Sequence, residues 1–334
     1  MRVSVVMPVY NKAAFVLEAI DSVLGNTFTD FELIVVDDKS TDNSLHLLRG
    51  LTDPRVRVVA LEKNLGPAGA AQRGMDLALG EYIVRMDADD LMFPDRIERQ
   101  IGYMDAHPEV GASGGQVVLF GEEDSTWKVP LTDAECKAQL LFGVPIPQGG
   151  SILRTAVLRE HAVRFQDDWP RIGEDWLFWV ALARHTRFGN IDAPVIRYRR
   201  GPQNISHGQD RVAARRLRVP WVLKSFGLEH TPEEVDAHLA ASLSFSKPPD
   251  AAMVRQVHRW LDRLRTFNGQ AGIAPMASLE VRLQKAWEDL FHRLPEYGSF
   301  PTIEHMRLSG TWSWRRWAYA LKVRARVLLG IYRR

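Results

Sequence analysis

The chain has 334 residues, of which 46% are hydrophobic and 25% are charged, and its formal net charge is +2. This composition indicates a globular protein with one large or two medium domains, and the small net charge argues against nucleic acid as a partner. The single cysteine, Cys136, excludes an internal disulfide framework and a cysteine-rich metal site. No apolar run reaches the roughly 20 residues that cross a bilayer, and no signal pattern precedes the first predicted strand. We therefore expect a cytoplasmic protein, either free or attached to the inner face of a membrane.

Short apolar runs alternate with helical patterns through the N-terminal part of the chain. The predicted strands span residues 2–7, 31–36, 55–61 and 81–86. The predicted helices span residues 12–24, 66–79 and 94–106, and Ser40 or Thr41 is expected to cap a further one. Since the strands are almost continuously apolar, we expect helices on both faces of a mostly parallel sheet. Ligands of such sheets bind beyond the carboxyl ends of the strands, which places residues 8–11, 37–40, 64–66 and 87–90 along one rim.

The pattern changes after residue 110. Strands of a mixed region are predicted at 117–120 and 127–129, helices at 132–141 and 173–185, and extended structure at 188–199. From about residue 210 the sequence is helical and rich in Arg, Leu and Trp, with a linker predicted at 244–249. We therefore expect two domains, residues 1–209 and residues 210–334, of which the second is helical.

The predicted strand at 81–86 ends in three carboxylates, Asp87, Asp89 and Asp90. Residues i and i+2 of an extended segment point to the same side, so Asp87 and Asp89 can direct oxygen ligands to one point. Such ligands suit Mg²⁺ or Mn²⁺, which usually keep coordination positions for substrate phosphates. An exposed acidic turn that caps a helix is the alternative that this motif alone leaves open.

Two more carboxylates, Asp37 and Asp38, follow the predicted strand at 31–36. A carboxylate at this position can accept a hydrogen bond from a ring N–H of a base, such as N3–H of uracil. The alternative is that Asp38 or Ser40 only caps the next helix.

Several spaced motifs together resemble the inverting glycosyltransferase family 2, whose members have the GT-A fold. The motifs are residues 5–12 (VVMPVYNK), 31–42 (FELIVVDDKSTD), 64–66 (NLG), 80–90 (GEYIVRMDADD) and 94–96 (PDR). The resemblance extends over about residues 2–207. It implies an α/β fold of the GT-A type, with a Rossmann-like, mostly parallel sheet flanked by helices and a helical C-terminal region behind it.

The resemblance also implies roles for individual residues. Pro8, Val9 and Tyr10 would line the nucleotide pocket, and Asp38, with Asp37 nearby, would contact the base. The Asp-x-Asp motif, residues 87–89 with Ala88 at its centre, would contact the ribose, and Asp87 and Asp89 would hold a divalent metal on the diphosphate. The sequence departs from the family at residues 70–74 (AAQRG), where many members carry an arginine and this chain has alanine.

Glu174 and Asp175 open a predicted aromatic helix, where acidic residues suit the helix dipole. The resemblance implies that an acidic residue here is the catalytic base, which removes the proton of the acceptor hydroxyl. Asp175 matches the family pattern, and a shift of one residue would place Glu174 there, so both remain candidates. The resemblance further implies that residues 148–151 contact the donor sugar and acceptor. Arg199 and His207 would lie in a loop that closes over the diphosphate, and a solvated basic loop is the alternative.

The C-terminal residues 310–334 contain no acidic residue. A helical wheel places Trp314, Trp317, Leu321, Leu328 and Tyr332 on one face and Arg315, Arg316, Lys322, Arg326 and Arg333 on the other. This pattern is typical of an interfacial helix, so residues 311–334 are predicted to bind an anionic membrane surface. Packing of the same helix on the preceding helical domain is the alternative.

Together these features predict a metal-dependent inverting glycosyltransferase of the hexosyltransferase type that uses Mn²⁺ or Mg²⁺. Its donor is a nucleotide-diphosphate sugar, with UDP favoured, and its acceptor is a glycan or lipid-linked sugar in cell-envelope polysaccharide synthesis. A phosphatase of the haloacid dehalogenase type also has Asp-x-Asp after an apolar strand, but it needs Thr or Val where Asp90 stands. A non-catalytic, membrane-docked scaffold with a vestigial sugar-nucleotide pocket is the second alternative, and the intact carboxylates argue against it.

Overall fold

The computed structural model describes residues 1–170, 173–204 and 207–331. The chain divides into two compact units, Met1–Gly208 and Gln209–Arg334. Some residues of the predicted segments lie outside the described ones: Arg171 and Ile172 before the Glu-Asp pair, Ile205 and Ser206 in the basic loop, and Tyr332 and Arg333 in the C-terminal helix.

A single mixed sheet of nine strands organises the first unit. The strands are β1 Val3–Val9, β2 Phe31–Asp37, β3 Val56–Ala60, β4 Tyr82–Arg85, β5 Leu91–Met92, β6 Val110–Gly121, β7 Ser125–Trp127, β8 Ile152–Arg154 and β9 Arg187–Arg200. Their order is β3-β2-β1-β4-β8-β6-β9-β5, and β7 pairs with β6 off this path. The strands β1 to β4 pair in parallel, whereas β8 runs antiparallel to both β4 and β6. This arrangement, with flanking helices, confirms the predicted α/β class.

Seven helices are described in the first unit. They are α1 Val16–Leu24, α2 Ser44–Arg49, α3 Gly66–Leu77, α4 Arg96–Ala106, α5 Asp133–Leu140, α6 Thr155–Glu160 and α7 Glu174–Leu182. Helix α2 begins at Ser44 without a side-chain cap, so the prediction of a cap at Ser40 or Thr41 was wrong. The reason is that Asn11 engages both hydroxyl groups: Oγ of Ser40 accepts from the N–H of Asn11, and Oγ1 of Thr41 donates to the side-chain oxygen of Asn11.

The core of this unit lies between the sheet and its helices. Strand β2 is buried along its whole length, as its continuous apolar sequence predicts. Helix α3 packs closely on β1 and β2 through Gly74, where an added Cβ would lie 2.4 Å from Cγ1 of Val6. The absence of a side chain at this position brings α3, and with it the loop that precedes it, against the centre of the sheet.

Strand β6 is longer than the sequence predicts. It begins at Val110, whereas the apolar pattern indicated a strand only from residue 117. The added part contains residues 111–115 (GASGG), whose small side chains carry no strand signal. Tertiary contacts require them there, because a Cβ at Gly115 would lie 2.5 Å from Cγ1 of Val195 on β9.

The second unit is helical, as predicted. Its helices are α8 Arg211–Ser225, α9 Pro232–Ala241, α10 Ala251–Ala271, α11 Met276–Arg293, α12 Ser299–Ser309 and α13 Trp314–Leu328. A capping box fixes the start of α9, in which Thr231 accepts from the N–H of Glu234 and the Glu234 side chain accepts from that of Thr231. The linker predicted at 244–249 falls in the connection between α9 and α10. None of the helices in the described part of the chain combines the length and apolarity needed to span a bilayer.

Helix α13 has one packed side and one exposed side. Ala320 and Val323 are buried, and Arg316 points inward, where it pairs with Glu288 and lies 4.3 Å over the ring of Phe291. The helical wheel had placed Arg316 on the outer basic face, and the structure corrects this. The exposed side carries an apolar row of Trp314, Leu321 and Leu328. Beside this row lie the exposed basic residues Arg315, Lys322 and Arg326.

Candidate functional site

The loops after β1 and β2 are joined by hydrogen bonds at the carboxyl edge of the sheet. Asn11 adopts a left-handed backbone conformation with φ of 52°, which asparagine tolerates better than most residues. Its side-chain oxygen accepts from the N–H of Thr41 at 2.8 Å, and its own N–H donates to Oγ of Ser40 at 3.1 Å. The sequence motif contained Asn11, but its role in joining two loops was not foreseen. An asparagine two residues after the end of β1 is the signal that could have revealed it.

Asp38 connects the end of β2 to the start of α3. Its two carboxylate oxygens accept the backbone N–H groups of Leu65 at 2.6 Å and Gly66 at 2.9 Å. Its side chain is buried, and Asn64 Nδ2 donates to its backbone carbonyl oxygen at 2.9 Å. The alternative that Asp38 caps a helix was therefore correct in that its carboxylate accepts backbone N–H groups. The helix, however, is α3 and not the next helix, α2.

Asp37 has a different environment from its neighbour. Its Oδ2 accepts from the N–H of Ser40 at 3.1 Å. Its Oδ1 is buried and has no hydrogen-bond partner among the described residues. Asp37 is paired in register with Val9, which is buried on β1 after Pro8, whereas the ring of Tyr10 is 46% exposed. Pro8, Val9, Tyr10, Asp37 and Asp38 therefore share one edge of the sheet.

Asp87, Asp89 and Asp90 lie together after β4. Nζ of Lys12 is 2.6 Å from Oδ2 of Asp89, and both side chains are largely buried. Oδ1 of Asp90 accepts from the N–H of Arg199 at 2.8 Å, and Nε of Arg199 donates to the carbonyl oxygen of Asp89 at 2.9 Å. The structure thus brings Arg199 to the Asp-x-Asp motif. Lys12 is a participant that sequence reasoning missed, although it ends the first motif.

Burial and the neighbouring charges act together on the carboxylates of this cluster. Burial raises the pKa of Asp87, and the nearby Asp89 raises it further, while Arg85 opposes the increase. Burial also raises the pKa of Asp90 well above its usual value, with Asp87 and Asp89 adding to the effect. Oδ2 of Asp90 is buried without a hydrogen-bond partner in the described part of the chain. Extra positive charge at this point would therefore stabilise the ionised carboxylates.

The buried Arg96 of α4 holds the backbone around this cluster. Its guanidinium donates to the carbonyl oxygens of Gly149 at 2.9 Å, Arg85 at 2.9 Å and Ser151 at 3.1 Å. Its Nε donates to the side-chain oxygen of Gln100 at 2.9 Å. Burial lowers the pKa of Arg96 to about 9, an effect that Asp87 and Asp90 oppose. Arg96 thus fixes residues 148–151 against the end of β4, a role that the sequence did not reveal.

Gly149 approaches the first carboxylate of the motif closely. A Cβ added at this position would lie 2.8 Å from Oδ2 of Asp87 and 3.4 Å from Cδ1 of Ile196. The residue belongs to the short turn Gln148–Gly150, whose segment the resemblance assigned to donor and acceptor contacts. The glycine therefore leaves room for the Asp87 carboxylate at the cluster.

A divalent ion fits this donor set as a partial ligand shell. Across the described ranges, no three Asp, Glu, His or Cys side chains are arranged to hold a metal by themselves. Asp87 and Asp89 offer hard carboxylate oxygens whose mutual repulsion a cation relieves. Mg²⁺ commonly takes one or two carboxylates and completes its shell with substrate phosphates. The residues present therefore suit an ion that binds together with a diphosphate.

The two candidates for the catalytic base begin helix α7. Glu174 and Asp175 are its first two residues, both half-buried, and Gly173 before them has a φ of 90°. Oδ1 of Asp175 accepts from the N–H of Trp176 at 2.8 Å. The indole N–H of Trp176 donates to the carbonyl oxygen of Leu140 at 2.7 Å, which anchors the start of the helix. Trp176 is buried, as is Trp179 about one turn further along the helix.

His207 is separate from the carboxylate cluster. Its Nδ1 lies 3.7 Å from a carboxylate oxygen of Glu122, which follows β6, and its side chain is exposed. Of the two predicted diphosphate contacts, the structure therefore places Arg199 at the cluster and His207 beside β6.

Comparison with known protein families finds one match. The model of the family described as Glycosyl transferase family 2 matches residues 4–161. An uncharacterized glycosyltransferase of Haemophilus influenzae is 30% identical over 246 residues, which cover 68% of this chain and 76% of the relative. The succinoglycan biosynthesis protein ExoO of Rhizobium meliloti is 34% identical over 187 residues, 52% of this chain and 53% of that protein.

Solved structures share the fold. Residues 1–349 of TarS from S. aureus, in complex with UDP-GlcNAc, superpose with a TM-score of 0.59 at 19% identity, covering 100% of this chain and 93% of TarS residues 1–349. The mannosyltransferase PcManGT of Pyrobaculum calidifontis, in complex with GDP-Man and Mn²⁺, gives a TM-score of 0.50 at 20% identity, covering 99% and 88% of the two chains.

Proposed function

Because the chain belongs to glycosyltransferase family 2, we propose that it transfers a sugar from a nucleotide-diphosphate sugar to an acceptor hydroxyl with inversion at the anomeric carbon. We propose UDP as the nucleotide, a hexose as the sugar, and a glycan or lipid-linked sugar of a cell-envelope polysaccharide as the acceptor. The observation that carries the proposal is the carboxylate cluster of Asp87 and Asp89 beside Lys12 and Arg199. Membership of this family argues against the alternative that the chain is a phosphatase of the haloacid dehalogenase type. In this proposal, residues 1–209 form the GT-A domain.

The cluster suits a reaction in which a diphosphate departs. Mn²⁺ or Mg²⁺, when held by Asp87 and Asp89, supplies positive charge to the diphosphate oxygens as the sugar leaves. Arg199 adds a guanidinium next to the same motif, positioned by its bond to the carbonyl oxygen of Asp89. Groups that stabilise the leaving charge more than the bound donor lower the barrier to transfer. Pro8, Val9, Tyr10, Asp37 and Asp38 would hold the nucleoside at the neighbouring edge.

The acceptor side requires a base. A hydroxyl is a poor nucleophile until its proton is removed, and an inverting transfer needs one carboxylate on the face opposite the leaving group. We assign this role to Asp175, with Glu174 as the alternative one residue away. Both residues lie at the N-terminus of α7, where the helix dipole favours the ionised form.

The proposal includes peripheral attachment to the inner face of a membrane. The row of Trp314, Leu321 and Leu328 is exposed on α13, and exposed basic residues lie beside it. Such a surface suits anionic lipid headgroups with apolar side chains placed at the acyl boundary. The packed side of α13 also supports the alternative of a docked helix, and the two roles use different sides of one helix.

The decisive test is a panel of sugar nucleotides incubated with Mn²⁺ and the purified protein, with release of nucleoside diphosphate as the readout. One UDP sugar is expected to be hydrolysed slowly, and Asp175→Asn is expected to reduce transfer to added acceptor about 10²–10⁴-fold while donor binding survives. If Asp175→Asn keeps normal turnover and Glu174→Gln does not, Glu174 is the base. A protein that binds UDP but turns over no donor would support the scaffold alternative.

A further inference from the structure

An open cleft lies on the sheet beside the carboxylate cluster. Its volume is about 520 Å³, within the range of pockets that bind small ligands. The hairpin of β6 and β7 and the end of β9 form it, and its lining includes Trp127, Tyr198, Ser125, Glu123 and Arg200. The sequence motifs did not identify any of these except the basic segment of β9.

Strand register places these side chains on one face of the sheet. Leu119 of β6 pairs with Ser125 of β7 and with Tyr198 of β9. Val117 pairs in the same way with Trp127 and Ile196. Because residues paired across strands point to the same side, these side chains share one face of the sheet, on which Val117 and Ile196 are buried and Trp127 is exposed.

The same face of the sheet carries side chains that lie near the carboxylate cluster. Ile196 lies close to the position of a Cβ on Gly149, and the same position is 2.8 Å from Oδ2 of Asp87. Tyr198 is also close to the cluster, since Asp87, Asp90 and Asp89 add to the burial that raises its pKa. The cleft and the carboxylate cluster therefore have Tyr198 as a common neighbour.

The position of the cleft separates it from the nucleotide. The edge with Asp37 and Asp38 belongs to β1 and β2, whereas the cleft belongs to β6, β7 and β9. In the sheet order, β4 with its carboxylates stands between these two groups of strands. A ligand in the cleft would approach the cluster from the side opposite the nucleoside.

The chemistry of the lining suits a saccharide. Trp127 is 41% exposed, although a large aromatic surface is usually covered when nothing binds to it. A pyranose has an apolar face of C–H groups that packs on an indole, and a rim of hydroxyls that needs donors and acceptors. The ion pair of Glu123 and Arg200, in which Oε2 and Nε lie 3.5 Å apart, and the hydroxyl of Ser125 supply both donors and acceptors.

We propose that this cleft binds a sugar unit of the acceptor, with Trp127 as the stacking platform and Glu123 and Arg200 as hydrogen-bonding partners of its hydroxyls. The inference rests on the proposed function and specifies the acceptor as a saccharide that is recognised on the side of β7.

The test uses the labelled full-length protein on an array of bacterial surface oligosaccharides, in the presence of UDP and Mn²⁺. The wild type is expected to be retained by a subset of saccharides, and Trp127→Ala to weaken that retention about tenfold or more. Trp127→Phe, which keeps an aromatic face, should retain an intermediate signal. Trp221→Ala is the matched control, because Trp221 is 39% exposed and lies on α8 in the other unit.

Calorimetry with UDP on the same proteins separates the two hypotheses. Wild type and Trp127→Ala are expected to bind UDP equally. If the wild type does not bind UDP, the proposed function fails. If UDP binding is normal but Trp127→Ala keeps the wild-type array pattern, or the wild type retains no saccharide, the acceptor cleft alone is refuted. Loss of UDP affinity in Trp127→Ala would also refute it, because the effect would not be confined to the saccharide.

Discussion

Nζ of Lys12 lies 2.6 Å from Oδ2 of Asp89 and 2.7 Å from the carbonyl oxygen of Gln203. One ammonium group therefore joins the loop after β1, the motif after β4 and the segment after β9. It also neutralises the carboxylate that we assign to the metal. A divalent ion at Asp89 must share that carboxylate with Lys12 or displace it, so ion binding and the arrangement of these loops are coupled.

UDP binding is expected to require a divalent ion and to depend on Asp89. The two carboxylates supply only part of an ion's ligand shell, so ion and diphosphate should bind together. Calorimetry with UDP should show at least tenfold weaker binding in EDTA than in Mn²⁺, and a similar loss in Asp89→Asn. Asp21→Asn on the exposed side of α1 is the control and should bind normally. Equal affinity with and without Mn²⁺ would rule out a metal–diphosphate site.

Selectivity for the base is expected to depend on Asp38. A carboxylate that accepts from N3–H favours uracil over cytosine, which has no proton there, so UDP should bind about tenfold or more tightly than CDP. Asp38→Ala should remove this difference. It should also lower stability by about 1–3 kcal/mol, because the N–H groups of Leu65 and Gly66 lose their acceptor. The affinity ratio is measured at a temperature where the variant is folded, and a wild type that binds CDP as well as UDP contradicts the assignment.

Gly149→Ala is expected to impair metal-dependent UDP binding without unfolding the protein. The new methyl group would meet Oδ2 of Asp87, the tip of a side chain that can turn away, so the carboxylate should leave its place at the cluster. We expect at least tenfold weaker UDP binding in Mn²⁺ and little change in the melting temperature. Gly102→Ala in α4 is the control, since a Cβ there has no neighbour within 4 Å. An unaltered UDP affinity in Gly149→Ala would mean that Asp87 does not hold the ion.

The full-length protein is expected to bind anionic vesicles at low salt through α13. Each basic residue near such a surface contributes about 1 kcal/mol, so the double variant Arg315→Glu and Lys322→Glu should bind at least about tenfold more weakly in a sedimentation assay. Deletion of residues 311–334 should abolish binding while UDP affinity remains. Arg259→Glu on the exposed side of α10 is the matched charge reversal. If the wild type does not sediment with the vesicles, α13 is only a packing helix.

The second unit is expected to lose stability in mild acid because of His305. Burial lowers the pKa of His305 from its usual 6.5 to about 4. The unfolded state therefore binds a proton between these pH values while the folded state does not, so stability falls as the pH decreases from about 6.5 to about 4. At pH 5 the contribution of His305 to this loss should be about 2 kcal/mol relative to pH 7.5.

Urea titrations of the full chain at both pH values measure this loss, and His305→Gln should reduce the pH dependence. His292→Gln is the control, because His292 is exposed on α11 of the same unit. The same pH dependence in His305→Gln and the wild type would assign the effect to other groups.

Strands β1 to β4 could be predicted because their signal is local. Runs such as residues 31–36 are apolar throughout, and they form β2 nearly at the predicted bounds. The start of β6 could not be predicted, since residues 111–115 are strand-forming only through their fit against β9. The start of α2 was missed for a similar reason, because the competing acceptor, Asn11, is 30 residues away from Thr41.

The carboxylates of the site could be predicted from the sequence, but the residue that holds the surrounding backbone in place, Arg96, could not. Asp87 and Asp89 stand at a strand end in the sequence itself. Arg96 gives no comparable signal, because a charged residue on a helix is usually exposed. Arg96 can be buried because its guanidinium donates to the carbonyl oxygens of Gly149 and Ser151. These residues are 53 and 55 positions further along the chain.

The bonds of Arg96 have a consequence for local unfolding. Since its guanidinium joins α4 to the end of β4 and to residues 148–151, these three parts of the chain must open together or not at all. An opening of α4 alone would leave a buried cation among unpaired carbonyl groups. The position of the Asp-x-Asp motif is therefore as stable against local unfolding as helix α4 is. It is already formed before a donor binds.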